Sequence, residues 1–543
     1  MDLNLLPKYS LTQIPYWNDL RDMLYQFEKA APELVKVESY GSSGEGRELL
    51  VMTITDFSSG KAEERPAFFA MEGIHASELT MTICAFAEKL IREHTPGGIL
   101  SRRVFYLIPR MNPDGAEMVL RNSFGAIRSQ LPARELRPNT LHPADVNGDG
   151  RILTMLLPTP SGNLVKDPLD PRLLIPRTAN SEGPFYRAIP EGFIHDWDPS
   201  CEIHTEPIVD WNRNWSFNWQ PKPEHGLLPF SAPEMRATAE FLSVHRNIFS
   251  AISIHVGGEA ILLPPGSETS VIEPFDRKIL TAIGMMAEEC CKLPIYRNCD
   301  YNIPPFRWLW PFFERPGTFQ DFCYQHLGIP NADLETSGGL FADIGIGTAE
   351  LENLHSWEEY HELNRKLLAW YDRQTDAPEL YVPWQKFDHP QLGEVEIGGM
   401  INLVFNRRCN QACPQETENI CNFFKKLAHS GPELAFYESS AEQVSPGIWR
   451  IRTTVGNCGE LSTHLTAKAV KNARFPASIL RFNCAPEVEL LSREAIREFG
   501  ELPGFTGKIS GEWFVRVPEE TALLGTVSVE CGAAGRKSCQ IFK

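Results

Sequence analysis

The sequence predicts an α/β domain, a mixed and mostly parallel sheet with helices on both faces, followed by a small all-β sandwich. Two observations carry this. Over the first 380 residues, strand-like apolar runs alternate with helix-like periodic runs, the pattern of a sheet covered by helices. Past "PWQKFDHPQLGEVEIGG" the pattern becomes short strands separated by Gly, Pro and Asn, the signature of a sandwich.

In chain order, "ELLVMTIT" reads as a strand and "PAFFAME" as a buried strand. "LTMTICAFAEKLIREH" follows as a helix, then "RVFYLIP" as a strand. "APEMRATAEFLSVH" is helical, "FSAISIH" is a strand, and "FDRKILTAIGMMAEECCKL" is helical. The Pro-rich, polar stretch from about 122 to 235 has few regular signals, and so long a stretch within a domain reads as an insertion or a functional segment. After the helical run "QETENICNFFKKLAH", the strands are "LAFYESSAEQ", "GIWRIRTTVGN", "STHLTAKAV", "SILRF", "GEWFVRVP" and "GTVSVEC". The expected division is a domain over 1–398, a linker and helix over 399–430, and a β-sandwich of Ig-like type over 431–543.

The 543 residues carry 52 basic and 70 acidic side chains, a net charge of −18, which argues against nucleic acid or an anionic membrane as the main partner. No segment approaches the roughly 18 apolar residues of a membrane span. The first residues, "MDLNLLPKYSLTQIPYW", have neither a basic start nor an apolar stretch, so a cytoplasmic location is expected. Thirteen scattered cysteines agree with a reducing compartment rather than a disulfide framework.

Four places hold residue types that could carry chemistry. "GIHASE" places His75 and Glu78 where a strand meets a helical pattern. Zinc binds imidazole nitrogen and carboxylate oxygen at roughly 2.0–2.3 Å, and a catalytic site takes three protein ligands. An ordinary strand-to-helix junction, with Glu favoured by the helix dipole, explains the pair equally well in isolation. "AISIHVGGEA" offers His255 at the end of another apolar run, before a Gly pair that permits a sharp turn. A hydrolytic site also needs a base that is not a ligand; "GIPNADLETSGG" offers Glu335, with Asp333 as competitor. In "DWNRNWSFNW", Asn212 and Arg213 form a potential clamp for a carboxylate.

Taken in order, these pieces resemble the carboxypeptidase A-like zinc carboxypeptidases, over about residues 10–380. "YGSSGEGREL" resembles the family's early Gly-Arg turn and "GIHASE" its first metal motif. "IPRMNPDGAE" is similar to its Asn-Pro-Asp-Gly stretch, "NRNW" to its carboxylate motif and "SIHVGG" to its second metal motif. "PGTFQDF" resembles the loop before the last helix, and "ADLET" the strand with the catalytic glutamate. The resemblance implies one zinc ion held by His75, Glu78 and His255, Glu335 as general base, and Asn212 and Arg213 on the substrate's terminal carboxylate. It also implies an oxyanion-stabilising arginine, for which Arg121 and Arg128 are available; "IRSQ" favours Arg128.

Three positions depart from the family pattern. Ser77 stands where many members have Arg. Phe313 stands where the family has a mobile tyrosine, a hydroxyl that Tyr301 could supply. Gln320, at the position that often sets side-chain preference, is neutral and polar. The resemblance extends to a bacterial-type branch with a C-terminal β domain, whose sandwich looks like a cell-surface accessory module.

"DVNGDGRI" is a candidate for a second ion. Asp145, Asn147 and Asp149 have the alternating spacing of a calcium loop with Gly150 at the turn, but Leu156 stands where the closing Glu belongs. A plain Asx turn is the alternative. The expected activity is hydrolysis of the C-terminal peptide or amide bond of a peptide or peptide-like substrate with a free carboxylate. A deacylase or amidase on acyl-amino acids or cell-wall peptides, and an inactive peptide-binding protein, are the other readings.

Overall fold

In the computed structural model, the described residues are 1–122, 129, 137–205, 209–256, 259–267, 270–293, 295–297, 315–337, 344–345, 357–373, 381–401 and 413–543. The first part is built on an eight-stranded sheet. Its strands are β1 (Val35–Ser42), β2 (Glu48–Ile54), β3 (Ala67–Glu72), β4 (Val104–Ile108), β5 (Ile248–Val256), β6 (Ala260–Leu263), β7 (Ile295–Arg297) and β8 (Asn331–Thr336). They lie in the order β1-β2-β4-β3-β5-β8-β6-β7. The central run β4-β3-β5-β8 is parallel throughout. β2 and β6 join it antiparallel, β1 pairs antiparallel with β2, and β7 pairs parallel with β6.

Central parallel strands are covered on both faces and are therefore apolar on both. β3 is fully buried, and its residues alternate between two cores. Phe68 and Ala70 pack with Phe27 of α1 (Trp17–Ala30), Phe86 of α2 (Thr82–Arg92), Ile283 of α5 (Pro274–Cys291) and Phe424 of the helix Cys413–Ser430. Ala67, Phe69 and Met71 face the other way, towards Met235 and Leu242 of α4 (Pro233–Val244) and towards Trp215 and Phe319. α1 shows the cause plainly: Trp17, Leu20, Leu24 and Phe27 recur at helical spacing and are its buried face. The helix Cys413–Ser430 lies on α2 and α5 and belongs to the same core.

The Pro-rich stretch has more regular structure than its composition suggests. Strands Thr154–Pro158, Leu164–Lys166, Leu174–Pro176 and Tyr186–Pro190 join the hairpin Tyr381–His389/Gly393–Met400 in a six-stranded sheet. Each insertion strand is three to five residues long, too short to show a period of two between prolines. Met155, Ile189, Val395 and Ile397 form its own small core.

The C-terminal part is all antiparallel. One sheet runs Leu434–Ser445, Ile448–Asn457, Lys508–Arg516, Glu489–Leu490; the other runs Ile496–Phe499, Ser478–Cys484, Leu523–Glu530, Arg536–Phe542. Ile451, Val455, Trp513 and Val515 of the first pack with Leu480, Phe482, Val527 and Val529 of the second. One expected strand is not there. In "STHLTAKAV" a short helix, Ala467–Lys471, replaces it. Thr466 caps this helix from within, and Asp276 of α5 accepts the N–H groups of Ala467 and Lys468 from across the junction, so contacts outside the segment decide its form.

Candidate active site

The site lies where the carboxyl ends of β3, β5 and β8 meet. The edge formed by such ends is where an open α/β sheet places ligands. His75 follows β3, His255 lies near the end of β5, and Glu335 near the end of β8.

His75 and Glu78 sit in the segment between β3 and α2. A turn closes this segment, with Glu78 N donating to the His75 carbonyl at 3.2 Å. α2 begins only at Thr82, so Glu78 belongs to the turn and not to the helix start that the sequence suggests. Glu72 delays the helix: its carboxylate takes the Thr80 hydroxyl and, at 3.4 Å, the Ile83 N–H. The Asn-Pro-Asp-Gly stretch supports the turn from behind. Asn112 N donates to the Gly73 carbonyl at 2.9 Å, and its side-chain amide reaches the Ile74 carbonyl at 3.4 Å. Asp114, in the first turn of α3 (Pro113–Asn122), binds Arg47 at 2.6 Å, Ser43 at 2.7 Å and the Glu45 N–H at 2.7 Å. The early Gly-Arg turn and the Asn-Pro-Asp-Gly stretch thus meet each other in the supporting wall.

Three side chains converge. His75, Glu78 and His255 are 0%, 3% and 1% exposed. Their ligand atoms lie within 4.8 Å of one another, the one such group of His, Cys, Asp and Glu side chains among the described residues. His255 Nδ1 is 2.8 Å from Glu78 Oε2, and His75 Nε2 is 3.9 Å from Glu78 Oε1. Two imidazoles and one carboxylate are a zinc donor set with a coordination position left open. The surrounding charge fits a cation too. Burial pushes the His255 imidazole down, but Glu78, with Asp333 and Glu335 beside it, lifts it to about 9.

Register brings Glu335 to the ligands. On the parallel pair β5/β8, His255 stands beside Glu335 and Ser253 beside Asp333. Side chains at i and i+2 share a face, so Asp333 and Glu335 both line the side that holds His255. Asp333 Oδ2 is 3.7 Å from His255 Nε2. Burial raises its carboxyl to about 7, with His255 and Arg315 opposing.

Asn212 and Arg213 lie in the 3-10 turn Trp211–Arg213, capped by Asp210. Asn212 is buried and its Oδ1 accepts the Phe319 N–H at 2.9 Å. Arg213 is half-buried, with Nη1 donating to the Asn212 carbonyl at 2.8 Å. Gln320 is wholly buried, its amide donating to the Leu262 carbonyl at 2.7 Å. Arg128, Phe313 and Tyr301 lie outside the described residues. Ser129, next to Arg128, is 3.4 Å from His75 Nδ1 and accepts the Trp211 N–H at 3.1 Å. Arg121 points elsewhere, paired with Glu117 at 2.7 Å.

Sequence reading missed Asp210. Its Oδ1 is 3.7 Å from His75 Nε2, which makes it a carboxylate beside a candidate ligand. The signal was its place two residues before Asn212, at the head of the "DWNRNW" turn.

Asp145, Asn147 and Asp149 turn inward on their own loop. Asp145 accepts the N–H groups of Gly148 at 2.7 Å and Gly150 at 2.8 Å, and Asn147 accepts that of Asp149 at 2.9 Å. Buried Glu191 takes the Val146, Asn147 and Leu153 N–H groups at 2.9, 3.2 and 3.0 Å. These are the bonds of an Asx turn.

Residues 20–147 and 200–342 match the family model described as zinc carboxypeptidase. The chain belongs to the zinc carboxypeptidase family. Residues 433–542 match a model described as a domain of unknown function. A zinc carboxypeptidase of Saccharothrix mutabilis subsp. capreolus is 30% identical over 118 residues, which span 20% of this chain and 25% of that relative. Among solved structures, the carboxypeptidase A from Helicoverpa armigera is similar at 18% identity, over 60% of this chain and 66% of that one, with a TM-score of 0.40. The metallo-carboxypeptidase from Burkholderia cenocepacia is similar at 13% identity, over 59% and 60% of the two chains, with a TM-score of 0.30. Within this family, the His75, Glu78 and His255 group is zinc-ligand-like in residue type and arrangement.

Proposed function

We propose that this zinc carboxypeptidase family member hydrolyses the C-terminal peptide bond of substrates that carry a free terminal carboxylate. The observation that carries this reading is the register of β5 and β8, which sets Glu335 beside His255 in the His75–Glu78–His255 group. His75, Glu78 and His255 hold the metal. Zinc bound there supplies a Lewis acid that polarises a carbonyl and lowers the pKa of a water towards about 7.

The remaining steps belong to the chain's own side chains. Glu335 takes the proton of the attacking water and passes it to the leaving amine. Arg213 and Asn212 hold the terminal carboxylate, so that only the last bond is presented. Arg128 stabilises the developing oxyanion. Asp210 orients the His75 ring.

A pair of blocked dipeptides tests the reading, one with a free and one with an amidated terminus. Release of the terminal residue from the free acid alone, stopped by a chelator and restored by zinc, is the expected result. Equal rates on both would remove the Arg213 clamp and favour an amidase.

A further inference from the structure

Three buried polar atoms on the Glu335 side of the sheet make no hydrogen bond: Nη2 of Arg315, Oε1 of Gln320 and Oδ1 of Asp333. Gln320 and Asp333 are 0% and 1% exposed, and Arg315 is half-buried. Buried polar groups normally find partners, so a cluster left without them calls for an explanation.

Their placement follows from β8. Asn331, Asp333 and Glu335 share one face, and the helical turn Phe319–Asp321 lies over that row. Asn331 donates to the Gln320 carbonyl at 3.1 Å, and the Gln320 amide reaches Leu262, which stands opposite Asp333. Asn212 accepts from Phe319 N at 2.9 Å and is close enough to Asp333 to lower its carboxyl pKa. The Arg315 backbone is held by the Gly266 carbonyl at 2.8 Å, and its charge acts on Asp333. Gly317, two residues on, has φ of 69°, and a Cβ there would come within 2.5 Å of the Arg213 carbonyl, so the loop runs directly along the proposed clamp. Arg315, Gln320 and Asp333 therefore lie between Asn212–Arg213 and Glu335. A fourth such atom, Asn331 Oδ1, is two residues further from Glu335.

We propose that Arg315, Gln320 and Asp333 form the recognition pocket for the side chain of the substrate's terminal residue, and that this side chain is a carboxamide, as in glutamine. The proposal rests on the carboxypeptidase reading. One donor and two acceptors await partners; a carboxamide brings one acceptor oxygen and two N–H donors. Its oxygen meets Arg315 Nη2, and its NH2 group meets Gln320 Oε1 and Asp333 Oδ1. An apolar side chain leaves all three unpaired, which a polar site rejects strongly. A carboxylate pairs with Arg315 but brings no donor for Gln320 and faces Asp333. An ammonium or guanidinium group meets Arg315 as a like charge. Asp321 does not alter the balance, because its oxygens already accept Gly266 N at 3.0 Å and Ser270 Oγ at 2.7 Å.

Two measurements on the zinc-loaded full chain test this. One is calorimetric titration with the N-acetyl derivatives of glutamine, leucine, glutamate and lysine; the other is cleavage of blocked glycyl dipeptides ending in the same four residues. N-acetylglutamine is expected to bind about tenfold or more tightly than the leucine and lysine derivatives. Arg315→Met is expected to level glutamine with leucine, and Arg315→Lys to restore part of the difference. Tightest binding of the leucine or glutamate derivative, or an equal loss for all four in Arg315→Met, overturns the proposal. The two readings fail differently. Selective binding without cleavage of any dipeptide keeps the pocket and removes the peptidase; unselective cleavage keeps the peptidase and removes the pocket.

Discussion

Two parts of this molecule look like metal sites in sequence, and they hold their side chains in different ways. Asp145, Asn147 and Asp149 sit within five residues of each other, yet their oxygens accept N–H groups from their own loop. His75, Glu78 and His255 come from two distant segments, and their ligand atoms meet within 4.8 Å in a buried corner. Spacing along the chain is therefore a weaker guide than the element that holds each side chain. The loop's carboxylate and amide oxygens are taken up by its own N–H groups. The corner concentrates carboxylates around two imidazoles where water is scarce, an arrangement that a dication would balance.

Substitutions that separate the two regions sharpen this contrast. The largest effect is expected for His255→Ala, which should take zinc from about one per chain to none by elemental analysis, since three protein ligands are the minimum of such a site. Glu335→Gln should keep the zinc and lower kcat by roughly 10²- to 10⁴-fold, the usual share of a general base. Retained activity there would point to Asp333. Asp210→Asn, acting through His75, should weaken zinc affinity by about 10- to 100-fold in a competition titration with a chromogenic chelator. Asp145→Ala should leave zinc and kcat unchanged and cost about 1 kcal/mol in denaturant melts, with no calcium-dependent shift in Tm for either protein.

The smallest expected effect concerns pH. Burial raises the Glu191 carboxyl above its ordinary range, outweighing the three N–H groups it accepts. A raised folded value means that the stability linked to this group is fully present below the unfolded value of about 4.3 and is lost as pH rises through the folded one. Melts of Glu191→Gln across that window should show a flatter pH dependence than the native chain, around a lower mean stability.

Much of the site was legible because its residues stand at ends of apolar runs. "PAFFAME" and "FSAISIH" declare buried strands, and His75 and His255 lie at or just past their carboxyl ends. Convergence was not legible from those runs, because it depends on β3, β5 and β8 being neighbours in a sheet whose order differs from chain order. The register that pairs His255 with Glu335 is likewise a property of the assembled sheet. Asp210 escaped notice since a carboxylate beside a tryptophan carries no local signal of the histidine near it. The strands of the Pro-rich insertion were hidden by their length, and the helix in "STHLTAKAV" by its dependence on Asp276 across the junction.

Anomalous diffraction at the zinc absorption edge, on crystals of the full chain grown with zinc and calcium, addresses the contrast most directly. One peak between His75, Glu78 and His255, with none at the Asp145–Gly150 loop, is the predicted result. Absence of a peak at the His75–Glu78–His255 corner, or one at the loop instead, would contradict the assignment of the metal to side chains gathered by the sheet.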